Sequence, residues 1–400
     1  MKLVDAIVGW KPEITAIRRD IHAHPELAYE EVRTADLVAQ LLESWGIPAH
    51  RGIGVTGVVG VIHGKTQNGR ALGLRADMDA LPMQEANTFE HASRHPGKMH
   101  ACGHDGHTAM LLAAARYLAA RRDFDGTVYV IFQPAEEGFS GAKAMIDDGL
   151  FTRFPMEAVF GMHNWPGMAV GTFGVVAGPM MASSNTFEIT LQGKGAHGGM
   201  PHLGVDPVMG AVQMAQSLQT IVSRDRDPLE PAVLSITQIH TGSADNVIPN
   251  DASLRGTVRT FSDQALDLIE RRMAEIVEHT GRALNCDTEF AFHRKYPPTV
   301  NHDREAAFCA RVLAGIVGES NVDQAIRPSM GAEDFAFMLK EKPGCYVWIG
   351  NGQGDHRSAG HGMGPCMLHN GSYDFNDDLI PLGASYWVEL ASQWLAAGRP

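Results

Sequence analysis

The order of strand-like and helix-like segments limits the fold of this chain more than any other feature of its sequence. Short apolar segments at 57–63, 71–75, 127–132 and 158–162 are typical of buried strands. Helical patterns lie between them, and the longest covers 108–121. Buried strands that alternate with helices indicate an α/β fold with a mostly parallel sheet.

The pattern changes near Gly178. Between residues 186 and 294 the predicted order is strand, helix, strand, strand, helix, strand, which is typical of a ferredoxin-like α+β unit. The α/β pattern then returns. A chain of 400 residues also exceeds the ~250–300 residues at which a single core usually divides. We therefore predict one α/β domain made of residues 1–183 and 297–400, with an inserted ferredoxin-like domain at 184–296.

Composition excludes several classes of protein. The net charge of −13 argues against nucleic acid or an anionic membrane as a partner. No apolar run approaches the ~20 residues of a membrane helix, and the N-terminal stretch lacks a signal-peptide pattern. The five cysteines are odd in number and widely scattered. We predict a cytoplasmic protein without a disulfide framework.

Polar side chains follow three of the predicted strands. Asp77 and Asp79 follow the second strand, and Glu136 and Glu137 follow the third. His163 comes directly after the fourth. Because sites in open α/β sheets lie at the carboxyl ends of strands, we expect these side chains at one edge. Any one of them could be a solvated loop residue, but three strands in a row weaken that alternative.

The segment MHACGHDGH at residues 99–107 holds the densest set of possible metal ligands. Cys102 and His104 are separated by one residue, which puts both donors on the same side of an extended segment. Thiolate and imidazole suit zinc and other borderline transition metals. A buried cysteine that only fills space, in a loop merely rich in histidine, is the alternative. The density of the cluster favours a metal site.

Glu136 and Glu137 form the second part of the predicted site. Adjacent carboxylates point to different sides of an extended segment. One can bind metal while the other faces the reacting water. A dinuclear hydrolase needs that arrangement, with two cations ~3.5–4 Å apart and one carboxylate free to accept a proton. Two solvated acids in a loop are the alternative, although the pair follows an apolar strand and Pro134 directly.

A series of short motifs resembles one group of enzymes, in order and over nearly the whole chain. The group contains hippurate hydrolases, N-acyl-amino-acid amidohydrolases and indole-acetyl-amino-acid hydrolases, and it belongs to a dinuclear metallopeptidase superfamily. The resemblance implies a catalytic α/β domain with an inserted dimerisation or lid domain, and a homodimer or a dimer of dimers. The motifs are HAHPELAYEE (22–31), RADMDALPM (75–83), MHACGHDGH (99–107), FQPAEEG (132–138), GMHNWP (161–166), GKGAHGGMPHLGVDP (193–207), NVIPN (246–250), GTVRTF (256–261), MGAEDF (330–335) and LHN (368–370).

The resemblance also implies roles for single residues. Glu136 would be the general base, and Asp79 would orient a metal ligand through a hydrogen bond. The wider superfamily has a histidine where this chain has Asp77, so a ligand is missing and Cys102 substitutes for it. Two divalent ions per subunit are implied, of zinc, manganese, nickel or cobalt. The implied ligands are Cys102, His104, Glu137, His163 and His369.

Three residues of the inserted domain complete the implied site. His197 would reach the active site of the partner subunit and stabilise the oxyanion. Asn246 and Arg259 would bind the carboxylate or carbonyl of the substrate. From the residues alone, an ordinary turn histidine, a turn asparagine and a sheet-surface arginine are the alternatives.

The leading hypothesis is a metal-dependent amidohydrolase that cleaves N-acyl amino acids, such as hippurate, into a carboxylic acid and a free amino acid. Hydroxide formed at the metal ions, with Glu136 as the base, would attack the amide carbonyl. A dipeptidase, aminopeptidase or carboxypeptidase of the same superfamily is the alternative. A non-catalytic metal-binding or regulatory paralogue is a second one, and the presence of Glu136 and all the implied ligands argues against it. The acyl group and the amino acid stay open.

Overall fold

The computed structural model describes residues 1–354 and 366–397, which form two compact units. The first unit contains Met1–Met180, Val300–Arg327 and the described part of Asp334–Pro400. The second contains Met181–Thr299 and Pro328–Glu333. Residues 355–365 and 398–400, which belong to the predicted α/β domain, lie outside the described residues. The predicted domain limits at 183/184 and 296/297 stay a prediction.

The helices and strands are numbered along the chain. The helices of the described residues are α1 Asp5–Ala23, α2 Val32–Ser44, α3 His104–Arg121, α4 Gly141–Asp147, α5 Leu150–Arg153, α6 Pro207–Thr220, α7 Asp263–Ala283, α8 Asp303–Val317, α9 Ala336–Glu341 and α10 Leu379–Ala396. The strands are β1 Ala49–Ile53, β2 Gly57–His63, β3 Thr66–Asp77, β4 Asp125–Gln133, β5 Ala158–Trp165, β6 Phe173–Gly174, β7 Gly178–Met181, β8 Ser184–Gln192, β9 Ala196–His197, β10 Ala232–Thr241, β11 Val247–Ile248, β12 Asp251–Thr260, β13 Asp287–Tyr296, β14 Thr299–Asn301, β15 Val322–Asp323 and β16 Gly344–Gly350.

An eight-stranded sheet forms the centre of the first unit, in the order β1-β2-β4-β3-β5-β16-β6-β15. The four central strands, β4, β3, β5 and β16, run parallel to one another. Antiparallel pairing occurs towards the edges, between β1 and β2, β2 and β4, and β16 and β6. The central strands are buried on both faces, as parallel strands usually are. The predicted α/β class with a mostly parallel sheet is confirmed.

Helix α3 is the most deeply buried helix that leads into the predicted site. It packs against α1 and α10, and small residues such as Ala109, Ala113 and Ala114 allow close approach. Gly106 lies against the ring of Phe375, where an added Cβ atom would come within 2.3 Å of ring carbons. A helix that is apolar on all sides needs such a covered position. Its fixed position also fixes His104, its first residue.

The second unit contains a four-stranded antiparallel sheet in the order β10-β12-β8-β13. Alternate residues of the strands, such as Phe187, Ile189 and Leu254, enter a core shared with α6 and α7. This strand order, with two helices on one face, confirms the predicted ferredoxin-like α+β unit. Among the described residues, no helix is both long and apolar enough to cross a membrane.

Candidate metal centre

Parallel strands carry the predicted site residues to one edge of the large sheet. Strand β3 ends at Asp77, which pairs with Gln133 of β4. On the other side of β3, Arg75 pairs with Gly161 of β5, so His163 lies level with Asp77. The ends of these strands, and the segments that follow them, therefore meet at the edge where the site is predicted from the sequence.

The five implied ligands come together at this edge. The Sγ atom of Cys102 lies 3.3 Å from Nε2 of His163. Possible ligand atoms of Cys102, His104 and His163 all lie within 4.8 Å of one another, and those of Cys102, Glu137 and His369 do so too. Because the two sets share Cys102, they form a single cluster. Two neighbouring sets of donors are what a pair of metal ions requires.

Hydrogen bonds fix which nitrogen atom each histidine presents to the cluster. Nδ1 of His104 donates to the backbone oxygen of Asp79 over 2.9 Å, and Nδ1 of His163 donates to the backbone oxygen of Asn164 over 2.6 Å. Both rings therefore turn Nε2 towards the cluster. A histidine that binds metal usually donates its other ring N–H to such an oxygen.

Two buried polar atoms in the cluster suit a cation. Among the described residues, Nε2 of His104 and Oε1 of Glu137 are buried and have no hydrogen-bond partner. They lie 4.0 Å apart, and Nε2 of His369 lies 3.3 Å from the same oxygen. Buried polar atoms normally have partners, because leaving them unpaired is costly. A divalent ion among these atoms would satisfy them, and the thiolate, imidazole and carboxylate donors fit zinc and its neighbours.

Electrostatics favour a cation at the same place. Burial raises the pKa of the Cys102 thiol well above its ordinary value, and the carboxylate of Glu137 raises it further. Burial alone would lower the pKa of His104, but Asp77, Asp79 and Glu137 outweigh that effect and raise it to about 10. Without metal, the cluster thus holds protons on a thiol and on an imidazole. Metal binding would displace both protons.

Asp77 and His107 lie beside the cluster, but their polar atoms already form hydrogen bonds within the protein. One oxygen of Asp77 accepts from Nδ1 of His107 over 2.6 Å, and the other accepts from Arg75 over 2.7 Å. Nε2 of His107 accepts from the backbone N–H of Asn164 over 3.0 Å. Both nitrogens of His107 are therefore used within the protein. The geometry agrees with the assignment of Asp77 outside the ligand set.

Asp79 connects two of the implied ligands. Its Oδ1 atom accepts from Nδ1 of His104 over 3.2 Å, and its Oδ2 atom accepts from the backbone N–H of Glu137 over 2.9 Å. The residue as a whole is 1% exposed. The contact with His104 is of the kind expected for a residue that orients a ligand.

Sequence reasoning missed Asn164, which holds the loop that contains Cys102, called here the cysteine loop. Its Nδ2 atom donates to the backbone oxygen of Cys102 over 2.7 Å, and its Oδ1 atom accepts from the hydroxyl of Tyr373 over 2.8 Å. The signals in the sequence are its position next to His163 and its place in the GMHNWP motif. Asparagine has no ligand or acid–base role in the predicted chemistry, so residue type gave no reason to select it.

A buried arginine of α1 ties together two segments that carry ligands. Arg18 forms ion pairs with Asp105, which follows His104, and with Asp374, at 3.2 and 3.0 Å. The backbone of His369 is in the left-handed region, with φ of 60°, and its N–H donates to the oxygen of Ala101. Such backbone positions persist only where the surroundings hold them.

His197, Asn246 and Arg259 all lie in the second unit. Nδ1 of His197 accepts from the backbone N–H of Gly199 over 2.9 Å, so the neutral ring carries its proton on Nε2. The backbone oxygen of Asn246 accepts from Gly198 over 2.7 Å. Their predicted roles in substrate binding and catalysis stay predictions.

Arg259 lines a cavity of about 430 Å³ on the open face of the second unit's sheet. Its Nη1 atom donates to the hydroxyl of Ser184 over 3.0 Å, and burial lowers its pKa. Within 1–354 and 366–397 it forms no ion pair with a carboxylate. A half-buried guanidinium without a counter-charge is suited to bind an anionic group.

Comparison with known proteins gives consistent matches. The chain matches the profile of peptidase family M20/M25/M40 over residues 73–393. It is 40% identical over 395 residues to a hippurate hydrolase of Campylobacter jejuni subsp. jejuni, with 99% of this chain and 100% of that protein covered. It is also 40% identical over 398 residues to thermostable carboxypeptidase 2 of Saccharolobus solfataricus, with 97% and 96% covered. A crystal structure of a dinuclear metal-binding M20 peptidase from Bacillus subtilis matches with a TM-score of 0.83 and 33% identity, over 97% of this chain and 99% of that one.

The cysteine loop gives a test of the metal centre that leaves every ligand in place. Gly103 has φ of 88°, and an added Cβ atom would lie 2.4 Å from both Asn164 and Tyr373. Gly97 has a similar φ of 78°, with nothing within 4 Å of its Cβ position. We expect Gly103→Ala to lower metal affinity at least ~10-fold, in line with the loss of support around a ligand. Gly97→Ala carries the same backbone strain and should keep its metal. Equal metal content and affinity in the two variants, measured by elemental analysis and titration, would contradict the proposed position of the loop.

Proposed function

We propose a function from the premise that this chain belongs to peptidase family M20/M25/M40. The predicted resemblance to the hippurate hydrolase group is confirmed, and the chain is a metal-dependent amidohydrolase acting on N-acyl amino acids. It cleaves their amide bond to give a carboxylic acid and a free amino acid. At the level of residues, we propose that this function rests on the adjacent carboxylates of Glu136 and Glu137 at the buried thiol–imidazole cluster.

The cluster is proposed to hold two divalent metal ions, with Asp79 orienting two of the ligands. When bound, the ions would supply Lewis-acid chemistry, which polarises a carbonyl group and makes water more acidic. The thiolate favours zinc, while manganese, nickel and cobalt also suit the nitrogen and oxygen donors. The proposed ligands are Cys102, His104, Glu137, His163 and His369.

Glu136 is proposed as the general base. The residue is 7% exposed, and Oε1 accepts a long hydrogen bond of 3.4 Å from the backbone N–H of Asp334. Its carboxylate lies within 4.8 Å of possible ligand atoms of His104 and Glu137. From this position Glu136 can accept a proton from the attacking water and return it to the leaving amine.

The second unit is proposed to supply the groups that bind substrate. Arg259, which lacks a counter-charge among the described residues, would bind the carboxylate of the amino acid. Asn246 would bind the carbonyl group or that carboxylate. His197 carries a ring proton on Nε2, which is what a donor to the oxyanion needs, and it is proposed to act on the site of a partner subunit.

A homodimer, or a dimer of dimers, is proposed to form through the second unit. Strand β10 lies at the edge of its sheet, and Ile239 on this strand is exposed. Helix α6, which contacts β10, exposes Met209 and Val212. An open strand edge beside exposed apolar side chains can pair with a second copy. Apart from a second copy of the chain, the proposed partner is a small N-acyl amino acid, and neither nucleic acid nor a membrane is proposed as a partner.

The cytoplasm is proposed as the location. Cys102, Cys286, Cys309 and Cys345 are buried free thiols among the described residues. Free buried thiols are typical of proteins in a reducing compartment.

A carboxypeptidase is the second candidate, because the chain is 40% identical to thermostable carboxypeptidase 2. Both activities release a C-terminal amino acid, so hippurate alone does not separate them. A panel of N-acyl amino acids and unblocked dipeptides does. The proposed function requires kcat/KM to be higher for the acylated compounds, whereas preference for dipeptides would favour the second candidate.

The two glutamates can be separated by matched substitutions. Glu136→Gln keeps the shape of the side chain but cannot accept a proton, so turnover of hippurate should fall at least ~100-fold while metal content is retained. Glu137→Gln should lose metal, because it removes a charged ligand. Elemental analysis and amine release, with and without a chelator, measure both effects. Loss of metal from Glu136→Gln, with metal retained by Glu137→Gln, would reverse the two assignments.

The role of His197 can be tested with mixed subunits. His197→Ala should lower turnover by ~100- to ~1000-fold with metal content intact, because an oxyanion donor acts mainly in the transition state. Mixing it with Glu136→Gln subunits should restore activity, since one hybrid site has both residues. After random exchange, about a quarter of sites should work if His197 acts across the dimer. Exchanged mixtures no more active than the parents would place His197 in its own chain. A fully active His197→Ala would make it an ordinary turn histidine.

A further inference from the structure

The carboxylate of Glu31 is buried and connects three segments that are distant in sequence. Glu31 directly precedes α2, and it is 0% exposed. Its Oε1 atom accepts from the backbone N–H of Ala135 over 2.8 Å, and its Oε2 atom accepts from the hydroxyl of Thr56 over 2.6 Å. One carboxylate oxygen of Glu31 therefore accepts a hydrogen bond from the residue directly before Glu136.

Ala135 has an unusual backbone conformation. Its φ is 54°, which lies in the left-handed region that residues with a Cβ atom rarely adopt. The residue is 0% exposed, and its own oxygen accepts from the N–H of Gly141 over 3.0 Å. Conformations of this kind persist when surrounding contacts hold them, and they are frequent at active sites. The left-handed conformation of Ala135 therefore sets the direction of the chain into the next residue, Glu136.

The same loop is held at its other end by a second buried carboxylate. Oδ2 of Asp334 accepts from the backbone N–H of Ala142 over 2.8 Å, and its backbone N–H donates to Oε1 of Glu136 over 3.4 Å. The segment between β4 and α4 is thus fixed at both ends. Glu31 provides the contact at the end nearer to Glu136.

We infer that Glu31 is a positioning residue for Glu136, acting through the N–H of Ala135 to hold the left-handed turn that aims the base. The inference rests on the proposed function, since it takes Glu136 as the base. Burial and the nearby charge of Asp79 raise the pKa of Glu31. Burying a carboxyl group costs free energy of folding, and an apolar residue would fill the same space without that cost. The hydrogen bond to Ala135 gives a reason for its presence.

A set of four variants tests the inference. Glu31→Leu removes the acceptor, and we expect kcat for hippurate to fall ~10- to ~100-fold with KM and metal content unchanged, as for a misplaced catalytic group. Glu31→Gln keeps an acceptor oxygen for Ala135 and should stay within ~3-fold of the wild type. Thr56→Val removes the other hydrogen bond of the same carboxylate, and it serves as the matched control with near-normal kcat.

The double variant Glu31→Leu/Ala135→Gly separates positioning from general loss of stability. Glycine adopts the left-handed conformation freely, so it should recover at least ~3-fold of the lost kcat. A normal kcat in Glu31→Leu, or a loss that glycine does not recover, would overturn the inference. So would a loss of kcat in Thr56→Val equal to that in Glu31→Leu.

Amide hydrogen exchange gives a readout that is independent of activity. In Glu31→Leu, the peptide containing Ala135 should exchange faster, while exchange in Thr56→Val stays close to the wild type. Unchanged exchange in Glu31→Leu would overturn the inference. Failure of the proposed function would be seen separately, as absence of hydrolysis by the metal-loaded wild type.

Discussion

Negative charge buried at one edge of the central sheet is the interaction around which this fold is arranged. The carboxylates of Asp77, Asp79 and Glu137 all lie within 4.0 Å of a ring nitrogen of His104. Arg75 and the imidazole rings offset only part of that charge. Several buried acids without a matching number of cations would be strongly unfavourable. Divalent ions would provide the missing positive charge, and they would pair the buried nitrogen and oxygen atoms there that lack hydrogen-bond partners within the described part of the chain.

The architecture supplies rigid support for these donors. Parallel central strands end together, so Asp77 and His163 arrive at the same level without long loops. The largely buried helix α3 fixes His104 as its first residue, and Arg18 links that helix end to the segment after His369. Donors held on rigid elements lose little entropy when they bind an ion. The same rigidity would let the two adjacent glutamates keep the different roles proposed for them.

What could be predicted from the sequence depended on how far apart along the chain the contacting residues lie. The central strands and the Cys102–His104 cluster were predictable, because periodicity and spacing are local signals. His369 lies far from the other proposed ligands in sequence, and only resemblance to a family indicated it. Asn164 and Glu31 lie within quoted motifs, but neither was selected, because their contacts are hydrogen bonds to distant backbone atoms that the sequence does not reveal. The tautomers of the histidines were likewise beyond the sequence, since they depend on which oxygen faces each ring.

A crystal structure of the metal-loaded protein, with anomalous scattering recorded at the absorption edge of the bound metal, tests the central claim most directly. The account predicts two anomalous peaks in each chain, ~3.5–4 Å apart, with protein donors at the short distances typical of metal–ligand bonds. The donors should be Cys102, His104, Glu137, His163 and His369, with Glu136 next to the peaks but not bound. Peaks coordinated by Asp77 or His107 instead, or no peak at the thiol–imidazole cluster, would contradict it.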